Sequence, residues 1–237
     1  MTILRGAGIM LATMTTMAAG SAMAQDATQA ATQRPADGGS TISVAVTAGT
    51  LGIGPEAGWR FSDHVGIRGN ATFLGFSRDL TVDDNDYNAE LKLKSFGAMV
   101  DVHPFGGSFR VSGGARINRN RAGLSGDFTR QGSVEIDDVS YSGAQVGILT
   151  GRARVKKVAP ALTLGWAGSN RRGFTFGFEV GALFQGAVRI QEFTASGSLR
   201  NDPTFQARLR NERQNVQDDV NDYKVYPIIQ SSIGWRF

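Results

Sequence analysis

The sequence predicts an all-β fold, an eight-stranded antiparallel β-barrel that turns its apolar face outward, and three observations predict it. Beyond residue 40 apolar residues recur with a period of two almost everywhere, as in strands with one greasy face. The connections between these strands alternate between short and long, which places tight turns at one rim and loops at the other. The chain ends in "YPIIQSSIGWRF", with Ile229, Ile233, Trp235 and Phe237 on one face and Gln230, Ser232, Gly234 and Arg236 on the other. Such a strand needs an apolar surface to lie against, and the surface is either a protein core or lipid.

The opening segment narrows that choice. "MTILRGAGIMLATMTTMAAGSAMAQ" has an early Arg5, an uncharged stretch from Gly6 to Ala19, and a small-x-small site at Ala22-Met23-Ala24. This is the layout of a secretory signal peptide, and it is too short for a membrane helix. Residues 1–24 are therefore read as a signal peptide, 25–40 as a disordered leader of small polar residues, and 41–237 as the barrel. Without Arg5 the net charge falls from +4 to about +3, too mild and mixed for a nucleic-acid binder. The absence of cysteine excludes thiolate metal sites and thiol catalysis. Glycine, 31 of 237 residues, is abundant enough to suggest close backbone contacts inside strands.

The strands are expected near 41–48, 51–61, 65–79, 88–103, 108–121, 151–167, 173–190 and 224–237. Ile42, Val44, Val46 and Ala48 share a face, as do Leu51, Ile53, Ala57, Trp59 and Phe61, and the parity changes at Gly49-Thr50. A Gly-X pair suits a type II′ hairpin, which would set Ala48 opposite Leu51 and Val46 opposite Ile53. The same apolar-to-apolar test pairs Trp59 with Ile67, Val102 with Phe109, and Trp166 with Phe174, one register running through all four turns. Short links fall at 62–64, 104–107 and 168–172, and long ones at 80–87, 122–150 and 191–223. In an outer-membrane barrel the first set are periplasmic turns and the second extracellular loops.

The tryptophans agree. Trp59, Trp166 and Trp235, with Phe237, lie beside short turns or the C-terminus and would form a membrane girdle at the periplasmic interface. A soluble barrel would bury this apolar face and wet the other, yet the other face is rich in glycine. Lipid is the expected answer to the terminal strand, in the outer membrane of a Gram-negative cell.

"VAPALTLGW" (158–166), "FGFEVGALFQGAVRI" (176–190) and "DDVNDYKVYPIIQSSIGWRF" (218–237) resemble the last third of the CarO-type outer-membrane proteins. "YNAELKLKSFGAMVDVHPFGG" (87–107) is similar to their middle section. These are barrels associated with carbapenem susceptibility and with uptake of ornithine and other basic amino acids. The resemblance implies a barrel and basic amino acids as solutes. It also implies assembly machinery that reads the terminal aromatic strand.

Inward positions place Glu56, Arg68, Asp101, Arg110, Arg116 and Glu179 in the lumen as a candidate solute path, with Asp101 facing Arg110 across the turn. Side chains nearly fill an eight-stranded barrel, so these charges are expected either to pair as a structural plug or to part for a solute. Asp83, Asp84 and Asp86, and Asp137 and Asp138, make the outer loops acidic, which would concentrate cations. They lack EF-hand spacing, and no metal or cofactor is expected. "VEI" and "VSY" around Asp137-Asp138 suggest a short hairpin. Asp202-Pro203, followed by Phe205, Leu209, Val216 and Val220, suggests either a short helix over the mouth or an irregular loop. His64 and His103 have no motif-placed serine, so no enzyme is expected. The expected function is a narrow channel for small cationic solutes, and the alternative is a non-conducting structural or adhesive barrel acting through its loops. The expected partners are outer-membrane lipid, lipopolysaccharide and the barrel assembly machinery.

Overall fold

Long runs of period two become long strands. The structure, a computed structural model, describes residues 40–237 apart from 83, 84, 131 and 169–171. The expected signal peptide, nearly all of the expected leader, and Asp83 and Asp84 lie outside the described residues. Strands β1 (Thr41–Gly49), β2 (Gly52–Arg60), β3 (Val65–Val82), β4 (Asn85–Val102) and β5 (Phe109–Asn118) come first. They are followed by β6 (Arg121–Asp127), the hairpin β7 (Val134–Ile136) and β8 (Val139–Tyr141), a single helical turn α1 (Gly143–Val146) and β9 (Ile148–Arg154). Then come β10 (Val158–Trp166), β11 (Gly173–Leu183), the short β12 (Arg189–Ile190) and β13 (Thr194–Ala195), a 3₁₀ turn (Ser198–Asn201), helix α2 (Pro203–Val220) and β14 (Tyr226–Arg236).

The antiparallel pairings follow a cyclic path: β1 to β2, β3, β4, β5, β10, β11, β14 and back to β1. The faces are inverted relative to a water-soluble protein. Ile42, Val44, Val46, Ile53, Leu162, Phe176 and Ile233 point outward and are about half exposed, whereas Thr47, Glu56, Arg68, Ser112, Thr163 and Gln230 are buried within. Trp59, Trp166, Trp235 and Phe237 are outward and exposed near the short-turn end. Trp166 packs edge-on against Phe109 at 5.5 Å, and Trp59 against Phe61 at 5.6 Å. Among the described residues no helix is long and apolar enough to cross a membrane.

Past the ring, β3 and β4 continue as a tall hairpin, so the long loop expected at 80–87 is mostly strand, and Asp86 lies in β4 rather than in a loop. Above the ring β6 pairs on β4, β9 on β6, and β12 and β13 on β9. The expected loops 122–150 and 191–223 therefore carry secondary structure of their own, and β11 ends at Leu183 rather than near 190. Helix α2 runs for 18 residues, with Asp202 as N-cap accepting from the Phe205 amide and Pro203 in its first turn. Its Phe205, Leu209 and Val216 pack with Phe128, Val134, Ile136, Val146, Leu149 and Phe193 into a second apolar core. Asp137 and Asp138 turn the β7–β8 hairpin with φ of 50° and 59°, a conformation that Asp tolerates better than most residues. Asp137 does not sit in a solvated loop: it accepts from Asn211 Nδ2 at 3.1 Å, pairs with Arg208 at 3.5 Å, and donates its amide to Glu212. Asp138 is exposed.

The expectation of one register through all four turns is corrected. Trp59 does pair with Ile67 and Ile53 with Phe73. The first hairpin instead turns at Thr50-Leu51, with Gly49 opposite Gly52 and Ala48 opposite Ile53. Gly52 has φ of 102° and a Cβ there would meet the Phe73 carbonyl carbon at 2.8 Å, so only glycine fits. Leu51, assigned to the lipid face, is buried inside. Val102 pairs with Val111 and Trp166 with Phe178, displaced by two and four residues from the expected partners. Each displacement is even, so the paired strand residues keep their faces, and Leu51 changes sides because it moves from the strand into the turn. Wider turns cause the shifts: the buried His103 ring donates from Nδ1 to the Gly107 and Phe109 carbonyls, and Gly106 takes a positive φ.

Candidate functional site

The interior of the ring is built from small and polar residues at alternate positions, and the small ones make room for long charged ones. Gly97 shows how. A Cβ at this position would meet Arg116 Nη1 at 2.4 Å and Asn70 Oδ1 at 2.8 Å, so the guanidinium lies across bare backbone.

Arg68 on β3 is the hub. Its Nη1 donates to Glu56 at 2.9 Å, its Nη2 to Glu179 at 2.8 Å, and its Nε to Asp101 at 3.2 Å. Three carboxylates from β2, β11 and β4 thus surround one planar cation, the geometry for which guanidinium is suited. Arg110 Nη2 reaches Glu179 at 3.3 Å, while its Nη1 is 3.8 Å from Asp101. Asp101 and Arg110 are therefore not the facing pair expected from sequence: Ser112 stands opposite Asp101, and Gly165 opposite Arg110. The cause is the two-residue shift between β4 and β5.

Arg116 has no carboxylate in reach among the described residues. It donates to Asn70 Oδ1 at 2.8 Å and to Ser95 Oγ at 2.9 Å. Asn70 in turn donates to Glu56 at 3.1 Å, which joins this layer to the hub. All six residues expected in the lumen are buried, and their formal charges, three acidic and three basic, cancel. Buried charge is tolerated when it is paired and hydrogen-bonded, as five of the six are, while Arg116 is held by neutral hydrogen-bond acceptors.

Ser95, Ser112 and Thr163, which the sequence did not single out, complete the lining together with Gln230 from the polar face of the terminal strand. Strand parity alone would have placed them there. Gln230 is buried beside the hub, and neither of its side-chain polar atoms has a hydrogen-bond partner among the described residues. The spaces between Thr47, Glu56, Arg68, Arg110 and Glu179 leave no room for a water-sized sphere. A small cavity of about 30 Å³ lies at the short-turn end between Ser43, Arg60, Asp101, His103, Arg110 and Arg236. Burial, helped by the Arg60 charge, holds His103 below its ordinary pKa, so the ring is neutral at pH 7. Toward the long-loop end Leu51, Met99, Ala161, Leu183 and Ile228 fill the interior, with Tyr226 against them. No group of acidic residues, histidine or cysteine able to hold a metal occurs among the described residues.

No protein-family model matches the chain. No curated protein matches it either. Solved structures similar in fold include two from Acinetobacter baumannii. The crystal structure of Acinetobacter baumannii CarO2 superposes with a TM-score of 0.57 at 18% identity, covering 83% of this chain and 98% of that one. The crystal structure of Acinetobacter baumannii CarO gives 0.53 at 20% identity, covering 83% and 97%.

Proposed function

We propose that the chain is an eight-stranded outer-membrane β-barrel whose lumen is a gated path for small cationic solutes. The observation that carries this reading is the inversion of faces: an apolar band with an aromatic girdle outside a ring of strands, and a balanced charge network inside it. A surface of that kind is stable only against lipid. The fold similarity to CarO supports the same class. The lipid and lipopolysaccharide of that membrane are the surroundings this surface fits, and the assembly machinery would engage the C-terminal strand.

The gate is Arg68. Glu56, Asp101 and Glu179 hold its guanidinium, and a solute bearing a guanidinium or ammonium group can compete for the same oxygens. As Arg68 swings away, the solute takes its contacts, so the carboxylates are never left uncompensated. At the short-turn end the solute then meets Arg60 and Arg236, which favour its release rather than its retention.

One observation favours a second reading. The network leaves no room for water, as expected of a plug in a non-conducting barrel. Planar-bilayer recording separates the two. Arg68→Gln should raise conductance and shift the reversal potential toward cation selectivity. Arg68→Gln with Glu179→Gln should stay conductive with weaker selectivity. If neither folded variant conducts, the barrel is a plug and the channel reading is wrong.

A further inference from the structure

Above the apolar band, four cations stand side by side across four strands. Lys92 on β4 pairs with Arg121 on β6, Arg121 with Arg154 on β9, and Arg154 with Arg189 on β12. Directly paired residues of an antiparallel sheet share a face, and all four are exposed. At a strand spacing of about 4.8 Å the row is about 14 Å long. Arg119, Arg152 and Lys156 are exposed close by. Among the described residues Glu90 pairs with Lys92 at 2.5 Å, and no carboxylate pairs with Arg121, Arg154 or Arg189. Like charges directly opposed across a ladder weaken it, so this row is a standing repulsion that a bound anion would relieve.

What lies below the row defines the anion. Four residues down β4, about 13 Å, Phe96 pairs with Ile117, and Ile117 with Val158. Phe73 packs on Phe96 at 5.8 Å. Phe73, Ile117 and Val158 are 42%, 48% and 61% exposed, forming the upper edge of the outward apolar band. Between the two levels Lys94 lays its ammonium 5.5 Å from the Phe73 ring, as a snorkelling lysine does at a hydrocarbon boundary. A ligand that satisfies both levels has acyl chains below and more than one phosphate above.

We propose that Lys92, Arg121, Arg154 and Arg189 form a binding site for a bis-phosphorylated, acylated sugar lipid, the lipid A portion of outer-leaflet lipopolysaccharide. The site rests on the outer-membrane reading above, since only there does the apolar edge meet acyl chains. Arginine suits the task because its fork grips phosphate through two parallel hydrogen bonds.

The test is native mass spectrometry of the full-length refolded protein in detergent, with lipid A, dephosphorylated lipid A and inorganic phosphate as probes. The wild type should retain lipid A and neither of the other two. Arg121→Gln with Arg154→Gln should bind lipid A roughly thirtyfold more weakly, as expected for losing two surface cations at a membrane. Arg200→Gln with Arg210→Gln, an equal loss of charge at exposed positions off the row, should bind as the wild type does. Equal weakening in both double variants would reduce the effect to net charge and overturn the site. Equal retention of dephosphorylated lipid would overturn the role of phosphate, and retention of inorganic phosphate alone would point to a soluble ligand instead. Heat-modifiable gel migration of the same samples reports the barrel separately. A migrating barrel that ignores lipid A sinks only this site, whereas no shift on boiling sinks the membrane reading with it.

Discussion

Arg68 satisfies three carboxylates and Arg110 shares two of them, so their removal should have unequal consequences. Arg68→Gln leaves Glu56 without its ion-pair partner in the interior, and breaking a buried pair typically costs about 3–5 kcal/mol. Arg110→Ala leaves Glu179 and Asp101 still bound to Arg68 and should cost clearly less. Urea unfolding of refolded protein in detergent measures the order, and equal losses would mean that Arg68 is not the hub. The members of this network were legible from strand parity, because a period of two assigns each residue to a face without ambiguity. Their partners were not. Apolar residues pair equally well after a slip of two, so Val102 fits Phe109 on paper as well as it fits Val111 in the structure. Only the turn geometry around His103 and Gly106 decides, and that depends on side-chain burial.

Helix α2 was half legible. Asp202-Pro203 marks its start, and Phe205, Leu209, Val216 and Val220 mark its buried stripe, but with so polar a surface the helix and an irregular loop read alike. Contacts from other segments settle it: Asn211 and Arg208 hold Asp137, and Gln217 bonds the Ile190 amide at 2.8 Å and the Val188 carbonyl at 2.7 Å. The β7–β8 hairpin was legible because its turn chemistry is local. The core they share was not, since Phe128, Leu149, Phe193 and Phe205 come from segments that no local period connects. This core is separate from the ring, and the two should therefore fail separately. Phe205→Ala, removing a fully buried ring, should cost the upper layer about 3–5 kcal/mol. Limited proteolysis should then cut within 203–220 while the remaining strands still migrate as a folded species on unboiled gels. Loss of that species would show that ring and upper layer fold as one unit.

For the molecule as a whole, the closing contact joins β1 to β14, and the Phe237 amide donates to the Ile42 carbonyl at 2.8 Å. Deleting Phe237 removes one apolar side chain from the girdle and the last ladder bond. The amount of folded protein in the outer membrane should fall while signal cleavage continues, as read by fractionation and boiled-against-unboiled gels. Unchanged levels would count against assembly through the terminal strand. The purified protein should give a strand-dominated circular dichroism spectrum with a contribution from α2, and a mainly helical spectrum would remove the fold.

The charge network has a further consequence, for quality control during assembly. Its members come from β2, β3, β4, β5 and β11, and Arg68 and Glu179 are 111 residues apart in sequence. The outward apolar stripe tolerates a two-residue slip, but the same slip carries a carboxylate about 6.6 Å along its strand, out of reach of Arg68. A misregistered ring would enclose stranded charges at a cost of several kcal/mol each. The interior thus works as a combination lock read only at closure: the outward apolar face accepts any even slip, and the interior rejects every alignment but one.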